Sequence, residues 1–216
     1  MLSLIIFDMS RPVTLHAALK RGEQISVAVD ELLKRQSHRG GKRVGLVLSL
    51  VSMVTEHQLA FLLLVRSNYF GAALALIRSQ MESLIRMLWT ARCATDYQVN
   101  QIGADEDYEF PLPRLMAEAI DTVYRTGGFF SRLKQGTWKH LCDFTHTGVR
   151  QVFRRFKGKT IEPNYTPQIM LTATNMVNAA VLLAGAALFD LMGYQDELRE
   201  VNRLMAEYGL LERPVA

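Results

Sequence analysis

A charge placed inside an apolar stripe limits what can surround it, and this chain carries one on its most regular segment. Along Phe70 to Thr95 the apolar residues recur at helical spacing, and at about 100° per residue Leu74, Ile77, Met81, Ile85, Leu88 and Trp89 fall on both sides of Arg78. Glu82 and Arg86 follow Arg78 at successive four-residue steps on nearly the same face. A guanidinium buried without a partner costs several kcal/mol, on the scale of a whole domain's stability, so Glu82, one turn on, is its expected partner. This chain should therefore fold as packed helices, with the Arg78–Glu82 pair serving either as scaffold or as part of a site.

The rest of the sequence follows the same pattern. Helical periodicity covers about Thr14 to Arg35, expected as two pieces joined near Gly22, and is followed by the basic loop Arg35 to Arg43. A helix from Val44 to about Arg66 then turns through Ser67 to Gly71 into the Arg78 helix, which reads as an antiparallel hairpin. Asp96 to Pro113, with an acidic run and two prolines, is a surface connection with room for one short helix. Further helices are expected over Leu115 to Tyr124 and Thr137 to Phe156, on either side of a Gly127-Gly128 break. Thr166 is a good N-cap before Pro167, for a helix ending at Gly193, and the last helix spans Gln195 to Tyr208. Only Leu2 to Phe7 could be a short strand. The expectation is an all-α, single-domain helical bundle over residues 1–216 built around the long hairpin. Its parts are an N-terminal helical segment and basic loop (1–43), a core bundle (44–193) and a C-terminal helix (194–216).

Composition narrows the function classes only modestly. Of 216 residues, 49% are hydrophobic and 21% charged, as in ordinary globular proteins, and the net charge of +4 permits an RNA, DNA or acidic partner without requiring one. Cys93 and Cys142 are far apart and lack metal-ligand spacing, which reads as reduced thiols in a cytoplasmic protein. Met1 to Phe7 lacks the basic start and cleavage site of a signal peptide. Val44 to Val65 is long enough to span a bilayer but carries Glu56, His57 and Gln58 at its centre, and Ala179 to Phe189 is too short, so both read as core helices and no membrane partner is expected. There is no glycine-rich phosphate loop, GxSxG elbow, Rossmann fingerprint or metal-ligand spacing, so neither cofactor nor metal is expected.

Two polar clusters are candidates for chemistry. His57 lies among Leu46, Leu50, Met53, Phe61 and Leu64 on its helix, and counting back from the hairpin turn brings it level with Arg78 and Glu82, so the three could form one buried network. That network could equally be structural. On WKHLCDFTHTGVRQVFRRF, Trp138, Leu141, Cys142, Val149, Val152 and Phe153 form an apolar arc, with Lys139, Asp143, Arg150 and Arg154 just around the helix and His146 on the boundary. Asp143 could orient His146, and Lys139 or Arg150 could meet an anion; the alternative is a solvated helix face with a half-buried histidine. Arg154, Arg155, Lys157 and Lys159 continue the basic run and could track a phosphate backbone or complement a helix C-terminus.

The run YFGAALALIRSQMESLIRMLW, then WKHLCDFTHTGVRQ, then TATNMVNAAVLLAGAALF resembles a group of bacterial all-helical proteins that are similar in turn to the HEPN superfamily of helical bundles in toxins and antiviral defence systems. The resemblance spans roughly Glu56 to Gly193. It implies a metal-independent endoribonuclease acting as a homodimer on RNA, with a cognate antitoxin or defence partner. An Arg and a His four to six residues apart would meet the same pair from a second subunit. His146 matches the histidine; Lys139, separated from it by six residues, stands where an arginine is expected, and Arg150 follows rather than precedes. Arg78 and Glu82 would then complete or orient the pocket. A non-catalytic bundle that binds nucleic acid, a nucleotide or a protein through the same face is the other reading.

Overall fold

The computed structural model describes residues 14–34 and 41–207. Ten helices account for nearly all of it: α1 (Leu15–Lys34), α2 (Lys42–Arg66), α3 (Phe70–Arg92), α4 (Asp96–Ile102), α5 (Pro113–Tyr124), α6 (Phe129–Gly136), α7 (Trp138–Thr145), α8 (Val149–Phe153), α9 (Pro167–Met192) and α10 (Gln195–Glu207). The protein is an all-α helical bundle. The expected strand at Leu2 to Phe7 and most of the basic loop lie outside the described residues.

Helix α9 is the axis. Val177 and the unbroken stretch from Ala179 to Phe189 are buried, and the helix packs against α1, α2, α3 and α10. Thr166 caps it by accepting from the Ile169 N–H, Pro167 takes the first position, and Gly193 closes it in the left-handed conformation. Both α9 and α2 are long and apolar enough to cross a membrane. The apolarity of α9 is spent on its four neighbours, whereas α2 also turns Met53, Leu59 and Leu63 outward.

The α2–α3 hairpin forms as its periodicity predicts, with Asn68 left-handed in the turn, and α3 ends at Arg92, just short of Thr95. Helix α1, by contrast, is continuous through Gly22. A Cβ there would sit 2.5 Å from Asn178 Oδ1 and 2.9 Å from Leu62 Cδ1, so this glycine permits close approach of three helices rather than a break. The space beside it is filled by polar groups. Gln58 Nε2 donates to Gly22 O (3.1 Å) and to Asn178 Oδ1 (2.8 Å), Ser26 donates to Gln58 Oε1, and Asn178 Nδ2 donates to Ala18 O (3.0 Å).

The larger departure concerns Thr137 to Phe156, expected as one helix. Helix α7 stops at Thr145, and α8 begins only at Val149. Between them Thr147 is left-handed (φ 56°) and the Gly148 N–H donates to Asp143 O at 2.6 Å, a reversal that lets a glycine backbone lie against Asp143. After α8 comes a two-stranded antiparallel hairpin, β1 (Phe156–Lys157) and β2 (Thr160–Ile161), which helical periodicity had masked.

Helices α5 and α7 pack on α3, α6 packs on both of them, and the α5–α6 junction is pinned by one carboxylate. Asp121 accepts from the Thr126 hydroxyl and from the Phe130 and Ser131 N–H groups (2.9 Å each), so a side chain near the end of α5 caps the start of α6. Burial works to raise its pKa, but the hydrogen bonds from Ser131, Thr126 and Phe130 outweigh it and hold the carboxyl below its ordinary value.

Candidate functional site

The site forms where the middle of α3 meets the C-terminal end of α7. Trp138, at the start of α7, is buried and lies under two cations, with Arg78 Cζ 5.0 Å and Lys134 Nζ 4.7 Å from the ring centroid. At the other end, the Thr145 hydroxyl lies within hydrogen-bond distance of Leu141 O (3.0 Å) and of Ala75 O on α3 (3.3 Å), which ties the last turn of α7 to α3. His146 is the C-cap, its N–H donating to Cys142 O at 2.9 Å. Trp138, Cys142 and His146 thus form one stripe at four-residue steps, facing Arg78.

Arg78 Nη1 lies 2.9 Å from Cys142 Sγ and 3.4 Å from His146 Nε2. A guanidinium can only donate, so the contact is a hydrogen bond in the tautomer that carries its proton on Nδ1. The carboxylate nearby is already committed: Glu82 Oε1 accepts from Arg86 Nη2 at 2.8 Å, whereas its Oε2 is 3.7 Å from Arg78 Nη2, beyond hydrogen-bond reach. Arg86 is further held over the Phe110 ring at 4.9 Å. Two arginines share one glutamate, and the surplus positive charge rests on Arg78.

That guanidinium is also short of acceptors. Its side chain is 20% accessible, its Nε is buried without a partner, and its one short hydrogen bond goes to sulfur, a weak acceptor. A buried donor left unpaired costs about 1–3 kcal/mol, more for a charged group. An incoming anion with several oxygens would relieve this cost, because guanidinium geometry matches phosphate and carboxylate in a bidentate fork.

The expected site residues divide on this geometry. Arg78, Glu82 and His146 come together, as the α3–α7 contact requires. Asp143 does not reach His146: its Oδ2 pairs with Arg150 Nε at 3.2 Å, across the α7–α8 reversal. Lys139 is exposed and makes no ion pair or hydrogen bond with another described residue, so the arginine facing His146 comes from α3 and not from α7's own sequence. His57 stays outside the cluster, with a buried Nδ1 that has no hydrogen-bond partner. Arg154 and Arg155 flank the α8–hairpin junction, where their carbonyls accept from Asn164 and Glu162. Lys157 pairs loosely with Glu162 (3.5 Å), and Lys159 is exposed at the hairpin tip. Cys142 and Trp138 are participants that the sequence placed only in an apolar arc, and the four-residue stripe ending at His146 is the signal that points to them; Arg86, which the sequence set one turn beyond Glu82, takes that carboxylate from Arg78.

The α8–hairpin unit rests on the first turn of α3. A Cβ on Gly71 would lie 2.9 Å from the Tyr165 hydroxyl and 3.0 Å from Arg155 Nη2, and Phe70 meets Tyr165 edge-on at 5.9 Å. The Tyr165 hydroxyl is buried without a partner; burial raises its pKa against the opposing pull of Arg155 and Arg154. Among the described residues no group of three or more His, Cys, Asp or Glu side chains is placed to hold a metal.

Residues 51–211 match the family of unknown function DUF6988. The chain belongs to that family. The matched segment takes in Arg78, Glu82, Cys142, His146 and the whole basic run, so the site lies inside the part of the chain that defines this DUF6988 protein. No curated protein and no solved structure matches it.

Proposed function

We propose that this DUF6988 protein is a metal-independent endoribonuclease of the HEPN-like kind, with Arg78 and His146 as its working pair. The observation that carries the reading is their approach to 3.4 Å from separate helices, with the guanidinium Nε buried and without a hydrogen-bond partner among the described residues. In this reading a phosphate takes the donors of Arg78 that Glu82 leaves open. His146 accepts the proton of the ribose 2′-hydroxyl as O2′ bonds to phosphorus and the P–O5′ bond breaks, giving a cyclic phosphate and a 5′-hydroxyl. The proton for the departing 5′-oxygen comes from the same pair in a second copy, so the active form is a homodimer. Arg154, Arg155, Lys157 and Lys159 supply the phosphate contacts beyond the pair. A toxin or defence role in the cytoplasm, with a cognate antitoxin or defence partner, is part of this proposal.

The second reading is a non-catalytic protein that binds nucleic acid or a nucleotide. It is favoured by the Asp143–Arg150 pair, which takes from His146 the carboxylate that would orient it as a base. The test is cleavage of total cellular RNA in EDTA by wild type, His146→Ala and Arg78→Met. Loss of cleavage in both variants, with both folded, supports the nuclease. Wild-type protein that binds RNA without cutting it leaves the second reading, and cleavage that survives His146→Ala removes the pair from the chemistry.

A further inference from the structure

Val149, Val152, Phe153 and Phe156 stand at the i, i+3, i+4 and i+7 positions of one helical stripe, the pattern that normally faces a core. In the structure α8 carries the first three and β1 carries Phe156, and none of the four is buried. All four side chains are between 44% and 70% exposed, and Ile161, paired across the hairpin from Phe156, is 81% exposed. The same short stretch, Val149 to Pro163, holds Arg150, Arg154, Arg155, Lys157 and Lys159 against one acid, Glu162. Its excess of four positive charges matches that of the basic loop Arg35 to Arg43, but here the cations are interleaved with exposed aromatic and aliphatic side chains.

An occupant has to satisfy both properties. A second copy docking through the same patch would bring like charges together, which is destabilising. A chain with a negative backbone and flat apolar faces fits, and base stacking on aromatic side chains within a basic groove is how single strands are held. Position favours the same answer. The unit sits on Gly71, two helical turns or about 10 Å along α3 from Arg78, within the reach of a few nucleotides.

We propose that this surface binds single-stranded RNA, with unpaired bases stacking on Phe153 and Phe156 while Arg154, Arg155, Lys157 and Lys159 take the backbone. This rests on the reading of the Arg78–His146 pair as an RNA site and adds its specificity: duplex RNA, whose bases are already stacked on one another, is discriminated against, and Phe153 and Phe156 are the residues that discriminate.

The test uses the full chain carrying His146→Ala, so that strand preference is measured without cleavage. A short labelled oligoadenylate and the same strand annealed to its complement are titrated by fluorescence anisotropy across a salt series. The expected result is about tenfold or greater preference for the single strand, within the range known for base–aromatic stacking. Adding Phe153→Leu and Phe156→Leu should remove that preference while leaving the salt dependence unchanged, because leucine is apolar but does not stack. Adding Lys157→Gln and Lys159→Gln should lower the slope of log affinity against log salt by about 1.4. Thermal unfolding unchanged in each variant confirms that only the surface was altered. Equal affinity for duplex and single strand, or a preference that survives both leucines, overturns the proposal. So does binding to phosphatidylserine vesicles in place of RNA. Wild-type cleavage of RNA without strand preference would overturn this inference and leave the nuclease standing; strand-selective binding without wild-type cleavage would do the reverse.

Discussion

Two polar clusters sit inside this bundle about equally deep in the sequence pattern, and they are finished very differently. Between α1, α2 and α9, the side chains of Ser26, Gln58 and Asn178 bond to each other and to the carbonyls of Ala18 and Gly22, and each of their amide oxygens and nitrogens has a partner. Between α3 and α7, Arg78 has a buried Nε without a partner, a carboxylate at 3.7 Å that prefers Arg86, and a thiol where an oxygen would serve better. A saturated network fixes the geometry of neighbouring helices and has nothing left for a ligand. An unsaturated one carries a cost that only something from outside can remove. The contrast is what makes the α3–α7 cluster, and not the α1–α2–α9 network, the candidate for a ligand.

The largest effect expected from this contrast is on activity. Arg78→Met removes the charge but keeps the apolar stem over Trp138, and it should lower RNA cleavage by about 10²–10³-fold, as loss of a transition-state donor does. The same variant should change the urea unfolding free energy by less than about 1 kcal/mol, since an under-satisfied guanidinium contributes little net stability. If unfolding shifts as far as it does for the core network below, the two clusters are of one kind and the comparison fails.

Gly22→Ala is the reverse case. The new methyl would press on Asn178 Oδ1 and Leu62, and because the neighbour is a fully bonded amide it has no room to yield without breaking the network. A loss of about 3 kcal/mol in the urea midpoint analysis is expected. Gly136→Ala, where nothing lies within 4 Å, serves as the control and should be neutral or slightly stabilising.

Gly22 also marks where sequence reasoning stops. Periodicity and caps located α2, α3, α5 and α9 because those signals are local: an apolar stripe, the Thr166-Pro167 start, the glycine stop at Gly193. A glycine within a helix carries no local mark that distinguishes a break from a close approach, and the partner residues Leu62 and Asn178 are far along the chain. The α7–α8 reversal was hidden for a related reason. Val149, Val152 and Phe153 continue the arc of Leu141 and Cys142, so the pattern reads straight through a turn that depends on left-handed Thr147 and on Gly148 lying against Asp143. His146 was legible as a boundary residue, but its partner was sought on its own helix at Lys139 or Arg150. Pairing with Arg78 is a tertiary fact, and so is the capture of Asp143 by Arg150.

Smaller in effect, Asp121→Asn tests whether a carboxylate outside both clusters belongs to the structural kind. It removes the charge from a side chain that accepts the first N–H groups of α6, and should cost about 1–2 kcal/mol at neutral pH, the worth of a helix cap. Because the folded-state pKa is depressed, this contribution is present above the ordinary carboxylate value of 3.8 and is lost as pH falls through the folded value. Wild type and variant should therefore converge in acid, which a series of urea midpoints from pH 7 downward reads directly. A constant gap across that range would mean that Asp121 works through shape alone.

The smallest effect is read from the reactivity of the two free thiols. Cys93 is half-buried near the end of α3, and burial pushes its thiol up to about 11, so only a small fraction is thiolate in mildly alkaline buffer. With Cys142→Ser, leaving Cys93 as the sole thiol, iodoacetamide labelling of the folded protein should be slow near pH 8 and accelerate by about tenfold per pH unit until it levels near pH 11. With Cys93→Ser, the remaining Cys142 lies at the open cluster, and phosphate ions that occupy Arg78 should slow its labelling by covering the sulfur. Cys93 labelling should not respond to phosphate at all. Protection of Cys142 alone would tie the Arg78 guanidinium to an anion in solution; protection of both, or of neither, would show that Arg78 is not what an anion recognises.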